Sequence, residues 1–163
     1  MRATRSPLVF NVADMEPGER RVESVGWAPT YAVELSRTAG VAHAEMILES
    51  IFGGVRLFGE IDVVYSDTCY RCTTEFDRPA RLVFDAVFSR DEDAEYRLDD
   101  DELDAEPLLR DEITLAMPLR PLCRPDCPGL CPDCGFDLNS CVCSLQDEAA
   151  NRPFASLREL LDP

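Results

Sequence analysis

The chain has no lysine and a single histidine, His43, among its 163 residues. A Schiff-base lysine and a P-loop lysine are therefore excluded, and a histidine base has one candidate at most. All 16 basic residues are arginine, against 32 acidic ones, so the net charge is −16. Direct grip on a phosphate backbone is disfavoured, because nucleic-acid affinity comes mostly from cationic side chains that displace counterions. A basic protein partner fits better. Long apolar runs are also lacking: nothing approaches a membrane span, and the opening "MRATRSPLVFNVADMEPGERR" has no apolar stretch followed by a small-residue cleavage site. The expected location is the cytoplasm, with no membrane partner. Cysteine is scarce for 120 residues, which hold two, and then six fall between Pro121 and Cys143. Cytoplasmic thiols stay reduced, so eight cysteines point to metal binding rather than to a disulfide framework.

A chain of this length can bury one main core. "LVFNV" (Leu8 to Val12) predicts a short first strand, and Pro17 and Gly18 follow as breakers. From Val55 to Tyr65, Val55, Leu57, Ile61, Val63 and Tyr65 share one face, while Arg56, Glu60 and Asp62 share the other. That period of two marks a half-buried strand, and Gly53 and Gly54 before it predict a hairpin with "AEMILESI". "RLVFDAVF" (Arg81 to Phe88) alternates in the same way. An antiparallel sheet with one wet face follows. The segment from Gly26 to Val41 has no clear period.

Residues Asp91 to Glu106 hold ten acidic side chains against Arg97 alone, a local net charge of −9. Self-repulsion predicts an extended, solvated acidic arm, which suits either a plain surface loop or docking on a basic partner. After Pro107, Leu109, Ile113 and Met117 lie near one helical face, and Pro118 stops the pattern. Near the end, Phe154, Leu157, Leu160 and Leu161 behind Pro153 predict a short terminal helix.

In the cysteine-rich tail the spacing is Cys123-x3-Cys127-x3-Cys131-x2-Cys134-x6-Cys141-x-Cys143. The strongest element is "CPDCG", Cys131 to Gly135: two thiolates two residues apart can bind one tetrahedral ion, and the glycine lets the chain turn around it. The other two ligands come from Cys123 with Cys127, from Cys141 with Cys143, or from one member of each pair. Four of these six cysteines are expected to hold zinc. All-sulfur zinc has no open position, so its role is structural, and a segment this rich in Pro and Gly needs it to order at all. The pair Cys69-x2-Cys72 in "DTCYRCTTEF" is less specific: a redox pair, a further metal half-site, or two packed thiols. His43 reads as a surface residue. The carboxylates form a run without the spacing of a paired acid and base, so no enzymatic activity and no catalytic residue is expected.

Four stretches now taken together resemble the bacterial large ribosomal RNA subunit accumulation protein family, YceD, which also has relatives in chloroplasts. They are "MEPGERRVESVGWAP", "LESIFGGVRLFGEIDVVYSDTCYRCTTEF", "RDEITLAMPLRPLC", and "CPGLCPDCGFDLNSCVC" with "RPFASLREL". The resemblance implies a non-enzymatic role in accumulation of large-subunit ribosomal RNA and biogenesis of the large ribosomal subunit. It makes Cys69, Arg71 and Cys72 signature positions and matches the six tail cysteines to a zinc-binding tail carried by a subset of the family. Arg71 is then either a contact residue or an arginine paired with a carboxylate at a strand end. With this much negative charge, the expected partner is a basic ribosomal protein or large-subunit assembly factor, contact with ribosomal RNA being indirect. The alternatives are a zinc-ribbon adaptor outside the ribosome and a thiol redox protein using Cys69 and Cys72.

The expected fold is α+β. Residues 1–118 form a β-rich antiparallel sheet domain that includes the acidic arm 91–106, with a helix leading into the tail. Residues 119–163 form a small zinc-stapled C-terminal tail with the short terminal helix.

Overall fold

A computed structural model describes residues 6–132 and 134–140. Its strands are β1 (Val9–Asn11), β2 (Arg20–Trp27), β3 (Ala32–Val33), β4 (Ser36–Ile51), β5 (Gly54–Thr68), β6 (Glu75–Ser89), β7 (Tyr96–Asp99) and β8 (Glu102–Asp104), and its helix is α1 (Glu106–Leu115). They join in one sheet of order β1-β8-β7-β6-β5-β4-β2, with β3 pairing β4 off that path.

The alternation read from the sequence is the one the fold uses. Val55, Leu57, Ile61, Val63 and Tyr65 on β5 are buried beside Ala42, Ala44, Met46 and Leu48 on β4 and Phe84 and Phe88 on β6. Leu108, Leu109 and Ile113 of α1 join this core, as do Leu8, Phe10, Leu98 and Leu103 from the far end of the sheet. The hairpin between β4 and β5 is tighter than expected: Ile51 pairs with Gly54, so the turn is Phe52 and Gly53. Gly53 there has φ +84, a conformation that glycine adopts without a Cβ penalty.

Two expectations need correction. Among the described residues strand makes up 51% and helix 7%, so they are mostly β, a curled half-barrel sheet with one helix, rather than α+β. The excess of strand lies partly in the segment without a period. There β4 runs on through a bulge between Ala39 and His43, and the shift in register breaks the alternation that would have revealed it. Leu109 and Ile113 lie on a helix of only ten residues that ends at Leu115, before Met117, and the expected terminal helix lies outside the described residues. The acidic stretch, secondly, is not a solvated arm. It folds into the β7–β8 hairpin, whose Leu98 and Leu103 pair across the strands and are buried while the carboxylates around them face water. Burial of two leucines, together with pairing of β7 to β6 and of β8 to β1, outweighs the self-repulsion of exposed, screened charges. The β6–β7 pairing is parallel, so the sheet is not purely antiparallel.

Tyr65 joins the sheet to the helix. Its hydroxyl donates to the carbonyl of Ile113 at 2.9 Å, a carbonyl in the last turn of α1, where the helix leaves its own acceptors unfilled. Burial pushes the phenol up to about 12, and the guanidinium of Arg78 lies over its ring at 4.5 Å. Replacing Tyr65 by Phe leaves that carbonyl without its donor and should lower unfolding free energy by about 1–2 kcal/mol. Chemical denaturation of the two proteins measures this, and an unchanged midpoint would mean that the bond contributes nothing.

Candidate metal centre

The long β5–β6 hairpin ends at Thr68 and resumes at Glu75, and the six residues between them contain Cys69 and Cys72. The loop is tied by the Cys69 amide donating to the Thr74 carbonyl and by the Thr73 amide donating to the Cys69 carbonyl, each at 2.9 Å. Thr73 has φ +61, an uncommon state for a β-branched residue that these two bonds impose. The chain leaving α1 passes beside this loop, and the Tyr70 amide donates to the Pro121 carbonyl at 2.8 Å. That passage brings Cys123 and Cys127 against Cys69 and Cys72.

The four Sγ atoms all lie within 4.8 Å of one another. Cys69 and Cys127 are 3.8 Å apart, and Cys72 and Cys123 are 3.7 Å apart. A tetrahedron of sulfurs around an ion with metal–sulfur bonds of about 2.3 Å has edges of about 3.8 Å. The group is thus sized to hold one metal ion. Cys69, Cys72 and Cys127 are buried, with Phe76 and Leu122 packed against them.

The thiols differ in how readily they ionise. Burial opposes ionisation of Cys69, but backbone amides of Cys123, Cys72 and Arg71 donate to its sulfur and bring it down to about 6. The Asn139 side chain lowers Cys127, against the opposing effect of burial, and the Gly129 amide helps. Cys123 is pushed up to about 12 by burial and by sharing hydrogen bonds with Cys127, Cys72 and Cys69. The neighbours thus favour ionisation of Cys69 and Cys127 and oppose that of Cys123, as expected where several like charges compete for one small site. A cation entering the group displaces the remaining protons.

The sequence profile described as "Large ribosomal RNA subunit accumulation protein YceD" matches residues 57–161, a range that takes in all four of these thiols. The chain belongs to the YceD family. Its relatives include uncharacterized proteins of Mycobacterium bovis and Mycobacterium tuberculosis, each 30% identical over 128 residues, 73% of this chain and 61% of the relative. An uncharacterized protein of Mycobacterium leprae is 26% identical over 149 residues, 82% of this chain and 68% of the relative. The chain thus spans about 61% of the length of the first of these relatives. No solved structure matches it. Among the described residues, no helix is long and apolar enough to cross a membrane.

In this YceD chain the sequence-derived candidates fall into three groups. Cys123 and Cys127 join Cys69 and Cys72, the pair that the sequence left undecided. Cys131 and Cys134 stand outside that four-thiol group, and Cys141 and Cys143 lie outside the described residues. Arg71 donates to the Cys127 carbonyl at 2.9 Å, so it clamps the two halves of the centre together, and among the described residues it forms no ion pair with a carboxylate. His43 is exposed on β4, opposite Asp62.

Asn139 was not singled out from the sequence. Its amide lies 3.5 Å from the Cys127 sulfur and is oriented by Asp137 Oδ1 at 2.7 Å, while Thr74 Oγ1 donates to the other oxygen of Asp137 at 3.3 Å. Such outer partners orient metal ligands, and losing one typically costs 10–100-fold in affinity. Asn139→Ala should weaken metal binding by about tenfold or more without unfolding the sheet. Competition with a chromophoric chelator measures the affinity, and circular dichroism checks the fold.

Proposed function

We propose that this chain is a non-enzymatic factor that supports accumulation of large-subunit ribosomal RNA, with zinc in the four-thiol centre and a basic protein as its direct partner. The single observation that carries the ribosomal part is the family match over residues 57–161. Zinc is favoured by four thiolate ligands at tetrahedral spacing, a donor set that leaves no position open for substrate. Cys123, Cys127, Cys69 and Cys72 would hold the ion, whose chemistry there is to cross-link the hairpin end to the segment after α1.

The partner's charge is argued from the surface. On the β7–β8 hairpin and the turn before it, Glu92, Asp93, Glu95, Asp99, Asp100 and Glu102 are exposed. Rigid display of carboxylates on a hairpin steers a cationic partner more effectively than a floppy tail would, because the charges are already placed. Ribosomal RNA itself would be repelled by this end of the molecule. The natural partner is therefore a basic ribosomal protein or large-subunit assembly factor, reached in the cytoplasm, where such assembly takes place.

In cells lacking the protein, the ratio of large-subunit to small-subunit ribosomal RNA should fall, and the wild-type gene should restore it while a Cys72→Ser, Cys127→Ser variant does not. An unchanged ratio on deletion would sink the ribosomal reading. Substituting Glu92, Asp93 and Glu95 by their amides should weaken capture of large-subunit precursors and flatten its dependence on salt. Identical salt curves for the two proteins would remove the electrostatic part.

A further inference from the structure

The face of the sheet turned away from the core and α1 carries a connected apolar group. Val22 on β2 pairs with Ile47 on β4, Ile47 pairs with Phe58 on β5, and Phe58 pairs with Asp85 on β6, so three apolar side chains stand in one row across three strands. Val83 and Val87 lie on either side of Asp85, diagonal to Phe58 and within reach of its ring. These positions alternate with the buried ones on their strands and so point outward. Val22 and Val83 are each 72% exposed and Val87 is 49% exposed. Single exposed apolar residues are ordinary, whereas a contiguous group of them marks an interaction surface.

The charges beside this group are balanced on one side only. Toward the β4–β5 turn, Arg20, Glu49, Arg56 and Asp85 form a chain of ion pairs, two cations with two carboxylates. On the other side Glu45 stands directly opposite Glu60, and Asp62 lies in the next outward row. Like charges directly opposite each other destabilise a strand pair. One guanidinium serves all three: Arg81 makes two hydrogen bonds to Asp62, lies 3.6 Å from Glu60 and also feels Glu45. Two negative charges are left over beside the apolar row. Beyond Arg81, at the bulge between Ala39 and His43, the same face has a depression of about 340 Å³ lined by Val41, Val64 and Pro79 together with His43, Asp62 and Arg81. It offers a socket for one more apolar side chain.

We infer that this face of β2, β4, β5 and β6 is a docking surface for a protein segment that carries arginine or lysine among apolar side chains. The apolar side chains of the segment cover Val22, Ile47, Phe58 and Val83, and its cations meet Glu45 and Glu60. From β2 to β6 the row crosses three inter-strand gaps of about 4.8 Å, roughly the length of a ten-residue helix. A second copy of this chain does not suit the surface, because a two-fold stack would bring the same carboxylate-rich patch of both copies together. Nucleic acid does not suit it either, since its phosphates would face these carboxylates. The surface uses none of the carboxylates of the β7–β8 hairpin, and the inference does not depend on the ribosomal reading.

The test places a photo-crosslinking benzoylphenylalanine at Val22 or Val83 of the full chain in living cells, with Leu115, exposed on α1, as the control position. Mass spectrometry of the crosslinked peptides should give one segment from both sheet positions, apolar with interspersed arginine or lysine, and not from Leu115. That segment is then made as a synthetic peptide and its affinity measured by fluorescence anisotropy. Val83→Asp should weaken binding about tenfold or more, because it sets a charge against the apolar side of the peptide. Glu45→Gln with Glu60→Gln should weaken it and flatten its salt dependence. Amide substitution of Glu92, Asp93 and Glu95 should leave it unchanged. Circular dichroism checks that these exposed substitutions keep the fold. Crosslinks only to another copy of the chain, only to RNA, or to nothing would overturn the inference, as would a peptide that binds all variants alike. A segment of the expected kind from a protein unconnected with the large subunit would uphold the docking surface and count against the ribosomal reading.

Discussion

Four sulfur atoms within 4.8 Å of one another cannot all be ionised unless a cation sits among them. This constraint organises the lower end of the molecule. Two of the sulfurs hang from the end of a hairpin that is otherwise held by fifteen paired residues a side, and two come from an irregular segment beyond the helix. The sheet positions the first pair without help from metal. Among the described residues the second pair has a few backbone bonds, the Arg71 clamp and the Asn139 contact to fix it, and a cation bound among the sulfurs would join the two.

Several of the arginines on the remaining surface pair with carboxylates across neighbouring strands. Arg56 reaches Asp85 and Arg81 reaches Asp62 across neighbouring strands, Arg81 through two hydrogen bonds of 2.8 and 2.9 Å, and Arg20 reaches Glu49 on the next strand over. A planar guanidinium can fork onto a carboxylate across a sheet in a way that a lysine ammonium cannot. Each exposed pair adds little stability. Collectively they occupy the cations on the wet face, and the carboxylates of the β7–β8 hairpin are left in excess. Hence the charge that is merely a total in the composition becomes a local feature in the fold.

The sequence was legible where a side-chain pattern maps onto one physical cause. Val55 to Tyr65 alternate because one face is dry, and Gly53 marks a turn because of its backbone freedom. Legibility failed where two causes compete. In Asp91 to Glu106 ten carboxylates hid Leu98 and Leu103, two apolar residues too few to set a period yet enough to anchor a hairpin. At Gly26 to Val41 a bulge erased the alternation of a genuine strand. At the four-thiol group, spacing alone favoured neighbours in sequence, whereas the fold brings together neighbours in space. Cys69 and Cys72 looked like a weak pair because their partners come from the far side of an acidic hairpin and a helix. Asn139 carries no residue-type signature, and only its distance to a sulfur reveals it.

The separation of the two ligand pairs also sets an order of events during synthesis. Cys72 meets Cys123 across 51 positions and Cys69 meets Cys127 across 58. When the first pair leaves the ribosome, its loop is a half-made chelate, and β6, β7, β8 and α1 must all be translated before the second pair arrives. A clip that closes so long a stretch would constrain the unfolded chain strongly. A metal ion could therefore meet all four thiols only after α1 and the segment beyond it have been made. A chain that stops short, or that mispairs its acidic hairpin, is left with two reactive thiols at the end of an open loop.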